Sequence, residues 1–247
     1  MPLLSVIIIT KNEEQNLRRA LESAKFADEI IINDSGSADA TLDIAREFNC
    51  KIIKTEFRGF GAAKQATLEQ ATGEWVLSID ADEEIDATMR ESLKKAVSQS
   101  NGDGYFVSRK SQFLGRWMLH SGWYPDYILR LFRRSSGRFT DDWVHEKVEV
   151  NGSIGRLEGH LLHYTNPNLS QYLSKLNRYT SLSARQLSKR GARFHVYFLL
   201  AKPTATFFSI YILKRGFLDG VQGLILALLS AFHTLCKYVK LWELEKS

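Results

Sequence analysis

Two aspartates end an apolar run in the stretch Trp75-Val76-Leu77-Ser78-Ile79-Asp80-Ala81-Asp82-Glu83. The apolar part is typical of a buried strand, and side chains alternate along an extended segment, so Asp80 and Asp82 are expected on the same face. Carboxylates are the ligands that Mg²⁺ and Mn²⁺ prefer, and such an ion can carry a diphosphate. The stretch therefore predicts a metal site at a sheet edge, although Asp-x-Asp-Glu can also simply end a strand and begin a helix.

The preceding sequence favours the functional interpretation, because strand and helix patterns alternate along it. Strand patterns lie at 4–10, 29–35, 51–57 and 74–80. Helical patterns lie between them at 13–26, 39–48 and 61–71. This alternation is the signature of right-handed βαβ units on a parallel sheet, whose ligands bind at the carboxyl ends of the strands. The pattern predicts an α/β fold.

Polar loops follow three of these strands. They are Lys11-Asn12-Glu13-Glu14, Asn33-Asp34-Ser35-Gly36-Ser37 and Asp80-Ala81-Asp82. Neither a Gly-x-Gly-x-x-Gly motif nor a Gly-rich phosphate loop follows the first strand. Asn12 and Ser37 could be helix N-caps, and Gly36 a turn residue. Stability alone needs no cluster of carboxylates, however, so acidic and amide groups at three successive strand ends indicate a ligand site.

Charge divides the chain into two parts. Residues 1–104 carry 12 basic and 19 acidic side chains, a net charge of −7, whereas residues 105–247 carry 21 and 9, a net charge of +12. The acidic part argues against nucleic acid as its main ligand. The basic part suits a polyanion, either nucleic acid or an anionic membrane surface.

Cysteine content and the first residues bear on location. Only Cys50 and Cys236 are available for a disulfide, and their spacing indicates no metal site, so a reducing compartment is expected. The sequence from Met1 leads directly into an apolar run without a basic leader or a small-residue cleavage site. We interpret this start as a strand rather than a signal peptide, which predicts a cytoplasmic protein.

Several of these motifs together resemble a known family. They are Ser5-Val6-Ile7-Ile8-Ile9-Thr10-Lys11-Asn12-Glu13-Glu14, Asp34-Ser35-Gly36-Ser37-x-Asp39-x-Thr41, Lys64-Gln65 and Asp80-Ala81-Asp82-Glu83. The set resembles a family 2 glycosyltransferase of the GT-A fold. Val144-His145-Glu146 and Lys214-Arg215-Gly216-Phe217-Leu218-Asp219-Gly220 with Gly223 resemble the branch of bacterial lipopolysaccharide core β-1,4-glucosyltransferases. The implied fold is a Rossmann-like, mostly parallel sheet with flanking helices.

The resemblance implies how a UDP-sugar would be held. The loop after the first strand and the Asp-Ser-Gly-Ser loop would hold the uridine, with carboxylates accepting hydrogen bonds from ribose and uracil. The residues concerned are Thr10, Asn12, Glu14, Asp34, Ser35 and Gly36. Asp80 and Ala81 would lie beside the ribose, Asp82 would bind Mg²⁺ or Mn²⁺, and Lys64 would lie over the diphosphate. The alternative for Lys64 is an exposed lysine on an amphipathic helix.

An inverting transfer needs a general base for the acceptor hydroxyl. Glu146 is the favoured candidate, because related enzymes place an acidic residue after an Arg-rich strand, here Arg130-Leu131-Phe132-Arg133-Arg134. Asp126 is the second candidate. Asp141, Asp142 and His145 also remain open, since many relatives have Glu-Asp where this chain has His-Glu. His145 and His163 could line the site or approach the metal, with core or surface positions as the alternative.

Aromatic and basic residues alternate between Ser121 and Arg138. Trp123, Tyr124, Tyr127 and Phe132 are interleaved with Arg130, Arg133 and Arg134. Such a surface could stack on sugar rings and pair with the phosphates of an acceptor, whereas the alternative is a β-hairpin with one aromatic face in the core. The arginines are the better indication of a phosphorylated acceptor.

The last third of the sequence is apolar and basic. Helical patterns cover 169–189, 194–213 and 217–241, and basic residues stand near their ends. The longest charge-free run, Gly220 to Cys236, has 17 residues, which is short for a membrane span of about 20. We expect helices lying in the interface of an anionic membrane, with packing on the catalytic domain or a homo-oligomer contact as alternatives.

These patterns predict a GT-A domain over 1–168, with a nucleotide-sugar half (1–104) and an acceptor half (105–168), followed by a helical region over 169–247. The preferred function is a metal-dependent inverting transferase at the cytoplasmic face of the inner membrane. It would move a hexose, which the resemblance implies is glucose, from a UDP-sugar to a lipid-linked, phosphorylated core oligosaccharide. A transferase acting on polyprenyl phosphate and a non-catalytic nucleotide-sugar-binding scaffold are the alternatives, and nucleic acid is not expected as a partner.

Overall fold

The computed structural model of the chain describes residues 3–99, 101–140, 146–165 and 168–246. The strands are β1 (Leu4–Thr10), β2 (Glu29–Asp34), β3 (Lys51–Lys54), β4 (Trp75–Asp80), β5 (Glu83–Ile85), β6 (Gly104–Phe113), β7 (Arg116–Trp117), β8 (Asp126–Arg133), β9 (Gly137–Phe139), β10 (Val148–Val150) and β11 (Ile154–His163). The helices are α1 (Leu17–Ala24), α2 (Thr41–Glu47), α3 (Phe60–Leu68), α4 (Ala87–Gln99), α5 (Leu169–Lys189), α6 (Phe198–Phe208) and α7 (Gly220–Lys246).

The main sheet is mixed, with strand order β3-β2-β1-β4-β8-β6-β11-β5. Strands β1 to β4 run parallel to one another, and the short helices α1, α2 and α3 connect them. β8 then pairs antiparallel with β4 and with β6. The prediction of an α/β fold with a mostly parallel, Rossmann-like first half is confirmed, and the antiparallel strands complete the GT-A sheet.

The alternation of β1 and β4 side chains explains why these strands are apolar throughout. Val6 and Ile8 belong to the larger core cluster with Leu17 and Leu21 of α1, whereas Ile7 belongs to a second cluster with Leu68 of α3. Successive residues therefore face opposite sides of the sheet, and helices cover both sides. A parallel strand that is covered on both faces is stabilised by apolar residues at every position. This produces the continuous apolar runs that predict β1 and β4 from the sequence.

The chain turns at Ala81-Asp82 instead of continuing as a strand. It then forms β5, which pairs antiparallel with β11 so that Glu83 lies opposite His163. The expectation that Asp80 and Asp82 share one extended segment is therefore wrong, and strand alternation does not decide which way Asp82 points. The turn brings Asp82 towards β11 rather than leaving it in register with Asp80.

Two compact units make up the chain. The first comprises Met1–Arg109 and Asp126–Tyr164, and the second comprises Lys110–Pro125 and Thr165–Ser247. Residues 110–125, which the sequence analysis assigned to the acceptor half, thus belong with the C-terminal helices. The physical reason is a small core of Phe113, Met118 and Leu226, with Tyr172 packed against it.

A buried aspartate anchors the same segment within the second unit. Asp219 accepts hydrogen bonds from the backbone N–H of Leu119 (3.0 Å) and His120 (3.1 Å) and from the Ser121 hydroxyl (2.8 Å). The side chain is almost fully buried. A buried carboxylate is stable only when its oxygens are satisfied in this way. Asp219 therefore fixes the loop at 119–121 against the turn that precedes α7.

The helices of the second unit are largely apolar. α5 begins with a side-chain N-cap, because Asn168 Oδ1 accepts from Gln171 N–H at 2.9 Å. α6 continues into a π-helical turn over Ser209–Leu213, and a 3₁₀ turn at Gly216–Asp219 precedes α7. The segment Gly216–Lys246 is long and apolar enough to cross a membrane by length and composition, with a mean hydropathy of 1.5 and 17% of its most apolar window buried.

Gly223 should tolerate no side chain, because a methyl group there would lie 1.9 Å from the carbonyl oxygen of Gly216. We expect Gly223→Ala to lower the free energy of unfolding by about 1–3 kcal/mol, as overpacking against rigid backbone does. Thermal and urea unfolding measure the loss. Val221→Ala, at an exposed position of the same helix, is the matched control, and equal stability of the two variants would contradict the close contact.

Candidate active site

Asp34 organises the loop that follows β2. Its carboxylate accepts hydrogen bonds from the N–H groups of Gly36 and Ser37, both at 2.9 Å, from the Ser37 hydroxyl, and from Thr10 Oγ1 at 3.2 Å. Burial raises the pKa of Asp34, but these hydrogen bonds outweigh it and hold the pKa below its usual value. Gly36 has φ 92°, which favours glycine. Asp34 thus shapes this loop as an ionised side chain.

The loop after β1 is tied to the loop after β2. Asn12 donates its N–H to Ser37 Oγ (2.8 Å) and accepts at Oδ1 from Ala38 N–H (2.8 Å), while Glu14 Oε2 accepts from Ala40 N–H (3.1 Å). Neither Asn12 nor Ser37 is an N-cap, since Asn16 precedes α1 and Ala40 precedes α2. The two loops form one hydrogen-bonded unit, with Ser35 N–H also bonded to the Thr10 carbonyl. They therefore present a single polar edge.

A chain of alternating charges lies beside that edge. It runs Asp126, Arg109, Glu83, Arg130, Asp80, Lys64 and Glu146. The successive N···O distances are 2.8, 3.6, 3.1, 2.7, 2.9 and 2.7 Å. Four carboxylates thus alternate with three cations across β8, β6, β5, β4 and α3.

Lys64 bridges the two carboxylates that matter most for the predicted chemistry. Its ammonium group contacts Asp80 Oδ1 and Glu146 Oε1, and only 4% of its side chain is exposed. The alternative of an exposed helix lysine is therefore excluded. Since one ammonium group joins both residues, Glu146 lies within two hydrogen-bond lengths of Asp80.

Burial and neighbouring charges both shift the pKa values of Asp80, Glu83 and Arg130. Burial raises the pKa of Asp80, but Arg130 and Lys64 outweigh it and bring that pKa well below its ordinary value. Burial raises the pKa of Glu83, and the neighbouring Asp80 adds to the rise against the effect of Arg130. Burial lowers the pKa of Arg130, yet Asp80 and Glu83 raise it overall. Asp80 is therefore a fixed anion and Arg130 a fixed cation.

Asp82 contacts His163 rather than the charge chain. His163 Nε2 lies 3.3 Å from Asp82 Oδ2, and both side chains are largely buried. Burial lowers the pKa of His163, but the hydrogen bond and charge of Asp82, with Glu83, outweigh it and raise the pKa. Two ligands of one ion with bonds near 2.1 Å lie roughly 3 Å apart at right angles. The separation of Asp82 and His163 is thus in the range for two ligands of one ion, although a bound ion would replace their hydrogen bond and require a neutral His163.

Asp82 and His163 could supply only part of a coordination shell. Within the described ranges, no group of three or more His, Cys, Asp or Glu side chains could hold an ion by itself. A Mg²⁺ or Mn²⁺ ion commonly takes its remaining ligands from substrate phosphates and water. The site thus suits an ion that arrives with a diphosphate.

The remaining predicted residues differ in their placement, and two further site residues were not predicted. Ala81 is buried beside the turn, and Asp126 begins β8 with its carboxylate held by Arg109 Nε (2.9 Å) and Nη2 (2.8 Å). Asp141, Asp142 and His145 lie outside the described residues. Glu83 and Arg109 were not singled out as site residues from the sequence, although Glu83 directly follows the Asp-x-Asp motif. No local sequence motif marks Arg109 as a site residue, because its position beside Asp126 depends on the pairing of β6 with β8.

The fold and this charged edge define the class of protein, a glycosyltransferase of the GT-A fold. The family model for glycosyl transferase family 2 matches residues 5–154. The lipopolysaccharide core biosynthesis glycosyltransferase LpsC of Rhizobium meliloti is 31% identical over 253 residues, covering 97% of this chain and 92% of that protein. The chain belongs to glycosyl transferase family 2.

Two further similarities agree with this assignment. An uncharacterized glycosyltransferase of Rickettsia typhi is 29% identical over 258 residues, covering 99% of this chain and 88% of that protein. The mannosyltransferase PcManGT of Pyrobaculum calidifontis, solved in complex with GDP-Man and Mn²⁺, superposes with a TM-score of 0.57 at 17% identity. That superposition covers 98% of this chain and 87% of the mannosyltransferase and shows a shared fold.

Glu83→Gln should destabilise the first unit although it keeps the side chain's shape. Glu83 Oε2 accepts from the Asp80 N–H (2.8 Å) and Oε1 accepts from Arg130 (3.1 Å), so an amide nitrogen would face a buried donor on one side. We expect a loss of about 1–3 kcal/mol in the free energy of unfolding. Urea unfolding tests this. Glu91→Gln, whose partner Lys94 is exposed, should change stability little. An equal effect of both variants would contradict a stabilising role for the buried hydrogen bonds of Glu83.

Proposed function

We propose that this chain is a metal-dependent, inverting hexosyltransferase that transfers a hexose, glucose in our assignment, from a UDP-sugar to a lipid-linked acceptor of the lipopolysaccharide inner core. The observation that carries the proposal is the Lys64 bridge, which holds the candidate base Glu146 beside Asp80 at the carboxyl end of β4. The similarity to a lipopolysaccharide core glycosyltransferase along nearly the whole chain supports the acceptor class.

The donor is assigned to the loops at the strand ends. The joined loops at 11–14 and 34–37 would hold the uridine, with Glu14 and the backbone that Asp34 orders facing ribose and uracil. Asp80 and Ala81 would lie beside the ribose. Lys64, which contacts Asp80, would lie over the diphosphate.

Asp82, with His163, would hold the divalent ion, which supplies positive charge to the departing diphosphate. The contact between these two side chains and the nucleotide-sugar complex of the related fold with Mn²⁺ support this assignment. Proton transfer is assigned to a side chain in the chain of alternating charges.

Glu146 would act as the general base. As the acceptor oxygen bonds to the anomeric carbon and the bond from that carbon to UDP breaks, the Glu146 carboxylate takes the hydroxyl proton. A single displacement inverts the configuration at that carbon. Asp126 is the second candidate base. Arg109 binds the Asp126 carboxylate through two nitrogens, whereas Lys64 contacts Glu146 through one ammonium group.

The second unit is assigned to the membrane. Its helices expose large apolar side chains, among them Leu200, Leu213 and Val221, and residues 110–125 and 165–247 carry 14 basic and 3 acidic side chains, a net charge of +11. Together these features favour helices in the interface of an anionic membrane, which would place a lipid-linked acceptor within reach at the cytoplasmic face of the inner membrane.

Two other functions are consistent with parts of this arrangement. A polyprenyl phosphate acceptor would use the same apolar helices. A non-catalytic nucleotide-sugar-binding scaffold would not need a half-buried carboxylate beside the diphosphate position, and desolvating that carboxylate costs free energy. The position of Glu146 therefore favours an enzyme.

Asp82→Ala should weaken UDP binding in the presence of Mn²⁺ by at least about tenfold, because one protein ligand of the ion is lost. Isothermal titration calorimetry with and without Mn²⁺ measures this. Asp43→Ala removes an exposed carboxylate of α2 and is the matched control. UDP binding that needs no divalent ion and survives in Asp82→Ala would refute the metal assignment.

Glu146→Gln should leave UDP-sugar affinity nearly unchanged and reduce the transfer rate by roughly 10²–10⁴, the usual contribution of a general base. Transfer to purified core oligosaccharide lipid and calorimetric donor binding separate the two effects. Asp126→Asn serves as the comparison. If the Asp126 variant loses transfer and the Glu146 variant does not, the base is Asp126.

A further inference from the structure

A groove of about 360 Å³ lies between α6 and α7, within the second unit. Lys202 and Lys237 line it, and Lys214 lines it further along, roughly 18 Å from Lys202 by the helical rise. Thr206 and Thr234 join the two helices at its floor through a hydrogen bond of 3.2 Å. The groove therefore has a fixed floor and cations at separate positions along its length.

The groove lysines have no acidic partner among the described residues. None of the described residues that line the groove is acidic, and none of its three lysines forms an ion pair in the described part of the chain. Lys240 on the same helix differs, because its ammonium group donates to Asn177 O (2.8 Å), Asn177 Oδ1 (2.7 Å), Thr180 Oγ1 (2.8 Å) and Ser181 Oγ (2.8 Å). Lys240 is a structural cation, whereas the groove lysines retain their capacity to bind an anion.

Lys202 and Lys237 also repel each other. Partial burial, and secondly the charge of Lys202, lower the pKa of Lys237. Aromatic rings hold the two ammonium groups in place, with Phe198 at 5.5 Å from Lys202 and Tyr238 at 4.8 Å from Lys237. Two positioned like charges gain Coulomb energy when an anion binds between them. Phosphate oxygens suit ammonium donors well.

We propose that the Lys202 and Lys237 end of this groove binds the phosphate group of an anionic membrane lipid. The proposal rests on the membrane location given under Proposed function and names the ligand that fixes it. Apolar exposure around the groove supports a lipid over a soluble phosphate, since Val196 is 75% exposed and Leu200 and Leu213 are each 78% exposed. Acyl chains would cover these side chains.

The positions of the cations also favour helices that lie flat on the membrane. Lys202 lies in the second turn of α6, and Lys214 follows the π-helical turn after α6. If this segment stood perpendicular to the membrane, one of the two lysines would lie in hydrocarbon. Tyr197 and Trp242 are both exposed, and such aromatic residues are enriched at the depth of lipid headgroups. A flat orientation places both ends of the groove at that depth.

The test compares binding of the full chain to two kinds of vesicle. Both are phosphatidylcholine vesicles, one containing phosphatidylglycerol and the other an equal charge of cholesteryl hemisuccinate, which is anionic but carries no phosphate headgroup of its own. We expect Lys202→Gln with Lys237→Gln to weaken binding to the hemisuccinate vesicles by roughly tenfold, from the general attraction of two lysines to an anionic surface. Binding to the phosphatidylglycerol vesicles should fall several-fold further, because the contacts with the lipid phosphate are lost as well.

Matched variants distinguish a specific phosphate site from general electrostatic attraction to the membrane. Arg185→Gln with Lys189→Gln removes the same charge from exposed positions on α5 and should weaken binding to both vesicles equally and less. Lys202→Arg with Lys237→Arg should retain binding. Lys202→Glu alone, at an exposed position, keeps the test decisive if the double variant unfolds. Equal losses in the groove and α5 variants, or equal losses on both vesicles, would overturn the proposal.

Two further measurements show whether the phosphate belongs to a lipid and whether the groove result is independent of the proposed transferase activity. The first is calorimetric titration with inorganic phosphate. If the double variant loses phosphate binding but keeps vesicle binding, the ligand is a soluble phosphate and the lipid assignment is overturned. Asp82→Ala should bind vesicles like the original chain. If UDP binding fails while the vesicle result holds, the transferase assignment falls and the groove assignment stands.

Discussion

The buried ion pairs centred on Asp80, Glu83 and Arg130 are the constraint on which the candidate site depends. Removing these charges from water is costly, and the cost is offset only because each carboxylate meets a cation or a backbone N–H at hydrogen-bond distance. The arrangement can therefore exist only if β4, β5 and β8 keep their register. Lys64 extends the same constraint to α3 and to Glu146.

The mixed topology of the sheet creates these contacts. The parallel strands β1, β2 and β4 bring their polar loops to one edge, as parallel strands do. The antiparallel placement of β8 beside β4 then brings Arg130 to Asp80, and the pairing of β5 with β11 brings His163 to Asp82. The parallel half of the sheet thus supplies polar loops, and the antiparallel half supplies Arg109, Arg130 and His163, which contact the carboxylates at the end of β4 and on β5.

The second unit follows different physical rules. Its helices meet around a small aromatic core, and Asp219 and Lys240 satisfy their charges with backbone and hydroxyl groups rather than with opposite charges. Exposed apolar and basic residues remain on its surface. The contrast in charge between the two parts of the sequence agrees with the proposed functions, because a site for a cation and a surface for anionic lipid require opposite charges.

The sequence by itself determined the elements whose signals are local. The bounds of β1 and α5 match the predicted ranges, and β2, β4 and the first three helices lie within a few residues of theirs, because buried parallel strands are apolar throughout and helices repeat their apolar face. The family motifs also identified Asp80, Asp82, Lys64 and Glu146 as candidates. Only the tertiary structure decided which of them meet. The pairing of Arg130 with Glu83 joins residues 47 apart in sequence, the turn at Ala81-Asp82 directs Asp82 to His163, and residues 110–125 pack with the C-terminal helices, since long-range strand pairing and core packing leave no periodic trace in a single sequence.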